Sequence, residues 1–271
     1  MGHSTSKFTF PGSQGDALDA RLDLPSGIPR AFALFAHCFT CSKDIAAASR
    51  ISRGLVDEGI AVLRFDFTGL GSSEGEFANT NFTSNVADLV AAAHALEERH
   101  QAPALLIGHS LGGAAVLAAA PQLPAARGVV TLAAPSEPAH VSGVFGDESI
   151  AAIERDGEAE VSLAGRPFRI RQQFLEDISQ ARIDDAVANL DAALLVLHSP
   201  VDELVSVDHA RRIYEHARHP KSFVSIDGAD HLLTDRADAA FVASIIATWA
   251  ARYLPDGVDI DADGSERQDE G

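Results

Sequence analysis

Short apolar, β-branched or aromatic runs recur along the chain and alternate with longer stretches whose apolar residues repeat about every 3.6 positions. That rhythm predicts a mostly parallel sheet covered by helices on both faces, an α/β architecture. Eight strands are predicted, at residues 7–10, 18–23, 31–37, 61–65, 104–107, 128–132, 193–198 and 221–226. The periodic stretches between them predict helices at 44–58, 85–99, 111–120, 208–217 and 236–252. The first two strands are joined by Pro11-Gly12-Ser13-Gln14-Gly15, too short for a parallel crossover, so the sheet is expected to begin antiparallel.

The rhythm breaks over residues 135–190, where charge, glycine and mixed periodicity replace it. Within that stretch, 158–163 and 167–169 read as a small hairpin around Ala164-Gly165-Arg166, and 171–178 as a helix. Long connections inside compact domains usually serve function, so 135–190 is expected to be a cap or lid inserted into a body spanning residues 1–254. Residues 255–271 carry seven acids against Arg267 alone and no apolar pattern, and are expected to be a disordered acidic tail.

Charge narrows the partners. The 271 residues hold 21 Lys+Arg and 39 Asp+Glu, a formal charge of −18, of which the tail contributes only −6. A body this acidic disfavours nucleic acid and anionic membranes. No apolar run approaches the ~20 residues that span a bilayer. Residues 1–15 lack the charged and apolar regions of a secretory leader, so a cytoplasmic location is expected. The oligomeric state, monomer or homodimer, is left open.

The sharpest chemical signal is Gly108-His109-Ser110-Leu111-Gly112-Gly113, directly after one predicted strand and directly before an Ala-rich helix. This is a G-x-S-x-G elbow in its proper context. A serine held on such a turn needs small flanking residues, supplied by Gly108 and Gly112, and it projects at a helix N-terminus where free N–H groups favour developing negative charge. The hydroxyl needs a base, and the base an orienting carboxylate; after an elbow of this kind the chain order is Ser, acid, His. Of eleven histidines, His231 alone lies just past the last strand. Asp202, in the loop after the preceding strand, is the matching acid, in preference to its neighbour Glu203. Asp230 is expected to order the loop of His231 rather than to face its ring. Oxyanion donors are expected from the N–H of Leu111 and of Phe39, with Cys38 as the alternative to Phe39. Residues 66–75, rich in Gly and Ser, read as a structural turn beside the site.

Two further features bear on function. Cys38 and Cys41 are spaced C-x-x-C, which suits either a thiol redox pair or small residues shaping a pocket; one pair alone is too few for structural zinc. Val144, Phe145, Phe168 and Phe174, with Cys38, are apolar candidates for lining a substrate pocket. No cofactor is expected, and no histidine spacing matches a metal-ligand motif.

With elbow, late Asp, late His and the Asp66-x-x-Gly69-x-Gly71-x-Ser73 turn in order, residues 7–254 resemble an α/β-hydrolase. More narrowly, Phe35-Ala36-His37-Cys38-Phe39-Thr40-Cys41-Ser42-Lys43-Asp44, Leu63-Arg64-Phe65-Asp66-Phe67-Thr68-Gly69 and Lys221-Ser222-Phe223-Val224 resemble the bacterial hydrolase domain often fused to an OsmC-like domain. No OsmC-like part is present in this sequence. The resemblance implies a serine carboxylesterase acting on small, short-chain acyl esters through an acyl-enzyme. Another acyl hydrolase (thioesterase, peptidase or C–C hydrolase) is the alternative, followed by a C-x-x-C redox protein on the same scaffold.

Overall fold

A computed structural model describes residues 3–254 apart from Ala164; the acidic stretch at 255–271 lies outside the described residues. The described strands are β1 (Ser4–Pro11), β2 (Ala17–Leu24), β3 (Ala31–Ala36), β4 (Ile60–Phe65), β5 (Leu105–His109), β6 (Gly128–Leu132), β7 (Glu158–Leu163), β8 (Arg166–Arg171), β9 (Ala193–His198) and β10 (Lys221–Ser225). The helices are α1 (Ala46–Asp57), α2 (Phe82–Arg99), α3 (Leu111–Ala119), α4 (Asp147–Asp156), α5 (Gln172–Gln180), α6 (Asp184–Ala188), α7 (Val207–His216) and α8 (Arg236–Ala250).

Eight strands form one sheet in the order β1-β2-β4-β3-β5-β6-β9-β10, and β7 pairs only with β8. The sheet begins antiparallel, β1 with β2 and β2 with β4, and every later pair in it is parallel. All eight predicted strands of this sheet are found, and so is the hairpin.

The apolar runs read so clearly because both faces of the central strands are covered. Along β3, Phe32, Leu34 and Ala36 enter one core while Ala31, Ala33 and Phe35 enter the other. On β9, Leu194 and Val196 alternate with Leu195 and Leu197 in the same way. The first core is completed by Leu89 and Leu96 of α2 and Val116 and Leu117 of α3. The second is closed by Ile51 and Leu55 of α1 and Val242 and Ile246 of α8. Burial of this kind supplies about 25 cal/mol per Å² of apolar surface removed from water.

The elements between β6 and β9 join the first core through Phe145, Ile153, Val161, Phe174 and Ile178. Two helices there, α4 and α6, were not predicted. In α4 only Ile153 is buried, so no apolar stripe marks it. Its signals are Gly146 at φ +78° before it, Gly157 at φ +84° after it, and Asp147 and Glu148 in the first turn, where carboxylates suit the helix dipole.

Candidate active site

Because β3, β5, β6, β9 and β10 run parallel, their C-terminal ends open on one edge of the sheet, and the loops that follow them meet there. Ser110 sits between β5 and α3 with φ +55° and ψ −127°, a backbone state costly for any residue with a side chain. Local packing holds it there. Its N–H donates to Leu132 O at 2.8 Å, and its carbonyl accepts from Gly113 N–H at 2.8 Å. A Cβ at Gly112 would lie 2.5 Å from the carbonyl oxygens of Ala36 and His37, and one at Gly108 would collide with Gly112 O. Only glycine fits at either position.

The structure brings the three predicted side chains together. His231 Nε2 lies 3.0 Å from Ser110 Oγ, and His231 Nδ1 lies 2.7 Å from Asp202 Oδ2. Since the carboxylate can only accept, Nδ1 carries the proton and Nε2 accepts from the serine hydroxyl. Asp202 Oδ1 accepts from the N–H groups of Leu204 and Val205, both at 2.9 Å. Burial pushes the Asp202 carboxyl up, but the hydrogen bonds from His231, Val205 and Leu204 outweigh it and hold the group below the usual range. Asp230 turns away from the ring: its carboxylate accepts from Leu232 N–H at 2.8 Å and from the Thr234 hydroxyl, so it orders the loop.

The loop after β3 is tightly built. Cys38 and Cys41 are joined by a disulfide, Cys41 N–H donates to Cys38 O at 3.1 Å, and Thr40 takes a φ of +59°. Neither cysteine is therefore a free thiol, which corrects their description as separate small residues; Cys38 still lines the cavity under this loop, beside His37, Phe39, Phe67 and Leu111. Among the described residues the N–H groups of Phe39 and Leu111 make no hydrogen bond. The 66–75 turn is structural: Asp66, fully buried, accepts from Lys43 N–H, Lys43 Nζ and Ser72 N–H at 2.6 to 2.9 Å.

Of the apolar candidates, Phe145 and Phe174 stack about Phe39 with ring centroids 6.0 and 5.3 Å from it. Phe168 reaches the same group through Phe77, at 5.1 Å, and Phe77 lies 5.7 Å from Phe39. Val144 does not join this cluster; it is 48% exposed at the end of a 3-10 turn. Phe77 was missed by sequence reasoning because it belongs to a short 3-10 turn without periodicity. Among the described residues no group of His, Cys, Asp and Glu is placed to hold a metal, and no helix is long and apolar enough to cross a membrane.

Residues 33–244 match the family model described as the alpha/beta hydrolase family. The chain belongs to that family. This α/β hydrolase is 49% identical to the esterase domain of a Rhodothermus marinus protein, whose crystal structure covers 94% of the chain and is itself wholly covered, at a TM-score of 0.76. A monoacylglycerol lipase of Mycolicibacterium smegmatis is 22% identical over 92% of the chain and 98% of that protein. Est1E of Butyrivibrio proteoclasticus with ferulic acid bound shares the fold at 20% identity and a TM-score of 0.74, over 90% of this chain and 98% of that one. The α/β hydrolase described here is thus a hydrolase acting on esters.

Proposed function

We propose that this ester hydrolase is a serine carboxylesterase of small, short-chain acyl esters, with Ser110, His231 and Asp202 as its catalytic triad. The observation that carries the reading is the continuous relay from Ser110 Oγ to His231 Nε2 at 3.0 Å and from His231 Nδ1 to Asp202 Oδ2 at 2.7 Å. His231 takes the hydroxyl proton as Ser110 attacks the ester carbonyl, then gives it to the leaving alcohol. Asp202 fixes the tautomer and stabilises the imidazolium formed in between. The N–H groups of Phe39 and Leu111 receive the oxyanion, and a water activated by His231 hydrolyses the acyl-enzyme.

Size selection follows from packing. Residues 135–190 act as the lid, and their Phe145 and Phe174 close on Phe39 directly beside the oxyanion loop, which favours a short acyl group. Val201 and Leu204, exposed on the loop of Asp202, and Leu232, exposed beside His231, offer apolar surface to an uncharged substrate. The net charge of −18 disfavours an anionic one.

The test is a series of p-nitrophenyl esters from acetate to decanoate with wild type and Ser110→Ala. Turnover is expected to peak at two to four acyl carbons and to fall by about 10⁴-fold or more in Ser110→Ala. Esterase activity surviving in Ser110→Ala refutes the triad; an optimum at decanoate refutes the short-chain assignment.

A further inference from the structure

Three histidines that the triad does not use occupy matching positions. His37 follows β3 directly, His109 ends β5 and His198 ends β9. All three are buried, at 1%, 1% and 0% exposure. Each ring meets a backbone carbonyl, and each meets a different loop of the site. His37 Nδ1 lies 2.8 Å from Cys38 O, His109 Nε2 lies 2.7 Å from His231 O, and His198 Nε2 lies 2.7 Å from Val205 O.

A carbonyl oxygen only accepts, so the named nitrogen of each ring is the protonated one. The second nitrogen of each ring is then an acceptor, and in all three rings it is buried with no hydrogen-bond partner among the described residues. His37 Nε2 comes no nearer than 3.9 Å to Asp66, and His198 Nε2, already committed to Val205, is 3.7 Å from Asp202. A buried polar group without a protein partner calls for an explanation, and in each ring the opposite nitrogen supplies one.

Resting on the proposed triad, we infer that His37, His109 and His198 are positioning residues that hold, respectively, the oxyanion loop, the base loop and the acid loop through one donated N–H each. The carbonyl held by His37 belongs to the peptide unit whose N–H is that of Phe39. In a trans peptide the two point in opposite directions, so fastening Cys38 O from behind aims Phe39 N–H forward and polarises it as a donor. His109 grips the backbone of the base itself. His198 grips Val205, whose own N–H holds the Asp202 carboxylate. Loops past the end of a sheet have no ladder to fix their backbone, and rings fixed on strand ends add to what restraints they have, which for Cys38 O include the Cys41 N–H at 3.1 Å. Burial lowers the proton affinity of all three rings, to about 4 for His109, which keeps them neutral and in this donor state.

The experiment replaces each ring in three ways and measures kcat and KM on p-nitrophenyl butyrate, normalised to active sites by the p-nitrophenol burst. Asn at 37 and Gln at 109 and 198 put an amide N–H where the donating nitrogen was. His37→Gln, His109→Asn and His198→Asn keep an amide but misplace it, and Leu removes the donor. Leu and the misplaced amides are expected to lower kcat about 10- to 100-fold with KM within threefold, whereas the matched amides stay within fivefold of wild type. Folded Leu variants with wild-type kcat overturn the inference. Where Leu prevents folding, equal kcat for matched and misplaced amides overturns it. Ser110→Ala, run beside them, separates this from the triad: activity surviving there defeats the triad itself, while its loss together with unaffected histidine variants defeats the positioning role alone.

Discussion

Acidification should destabilise the fold through its buried neutral histidines, and His109 allows the magnitude to be worked out. Burial, aided by the nearby His231, lowers its pKa from 6.5 to about 4. In the unfolded chain the ring binds a proton below about 6.5, while in the fold it stays neutral down to about 4, so the unfolded state holds more protons throughout that window. Stability is therefore lost as pH falls from 6.5 towards 4 and is not lost further below it. From pH 7 to pH 5 the linkage relation gives about 2 kcal/mol, and to pH 4 about 3 kcal/mol. For a domain of this size the loss at pH 5 lowers Tm by roughly 4 to 8 °C. His37, His198 and His209, also lowered by burial, act in the same direction. Asp202 and Asp230 do not enter the comparison of pH 7 with pH 5, because carboxyls with lowered pKa values begin to lose their contribution only below about pH 5. The assay is urea unfolding at pH 7, 6 and 5 for wild type and His109→Gln, which keeps the donor to His231 O but cannot titrate. Wild type should lose about 2 kcal/mol more than the variant between pH 7 and 5. Curves that stay parallel within about 0.5 kcal/mol would refute the buried neutral assignment.

Two other perturbations follow from the same neighbourhood. Lys43 is 2% exposed and its ammonium lies 2.7 Å from both Asp19 and Asp66; burial lowers its proton affinity, but those two carboxylates more than reverse this. Lys43→Met leaves the Asp66 charge buried without its cation, and is expected to cost about 3 to 5 kcal/mol in urea unfolding at pH 7; an unchanged midpoint would contradict the pairing. The Cys38–Cys41 disulfide closes a loop of four residues, whose chain entropy corresponds to about 2 kcal/mol at 25 °C. The double Ser variant should melt earlier in a thermal scan and lose kcat more than KM, since the freed loop carries Phe39; identical Tm and kcat would rule that out.

Much of the architecture was legible in the sequence for one physical reason. Strands buried on both faces are continuous apolar runs, and β3, β4, β5 and β9 have no exposed position. The antiparallel start was legible because five residues cannot make a crossover. What escaped was structure held by few apolar contacts: α4 buries one residue completely, and α6, five residues long, buries only Val187. The triad residues were legible as candidates because α/β topology delivers each loop to the same sheet edge, so that chain order stands in for geometry. A pairing between Cys38 and Cys41 could not be read from spacing that suits a thiol redox pair and small pocket-shaping residues alike.

The histidines show where order stops being informative. Position in the chain singles out His231 because a base must follow the last strand, but it says nothing about why His37, His109 and His198 stand at strand ends. A histidine in an apolar context reads as a packing residue, and the carbonyl it meets is not marked in the sequence: it is one residue away for His37, seven for His198 and 122 for His109. The two kinds of residue answer different demands. In the proposed triad, Ser110, His231 and Asp202 present polar atoms to a reacting group from irregular loops at the mouth of the sheet. Irregular loops lack the ladder that would hold those atoms within a few tenths of an ångström. A side chain with one donor, no charge and a rigid ring meets that need.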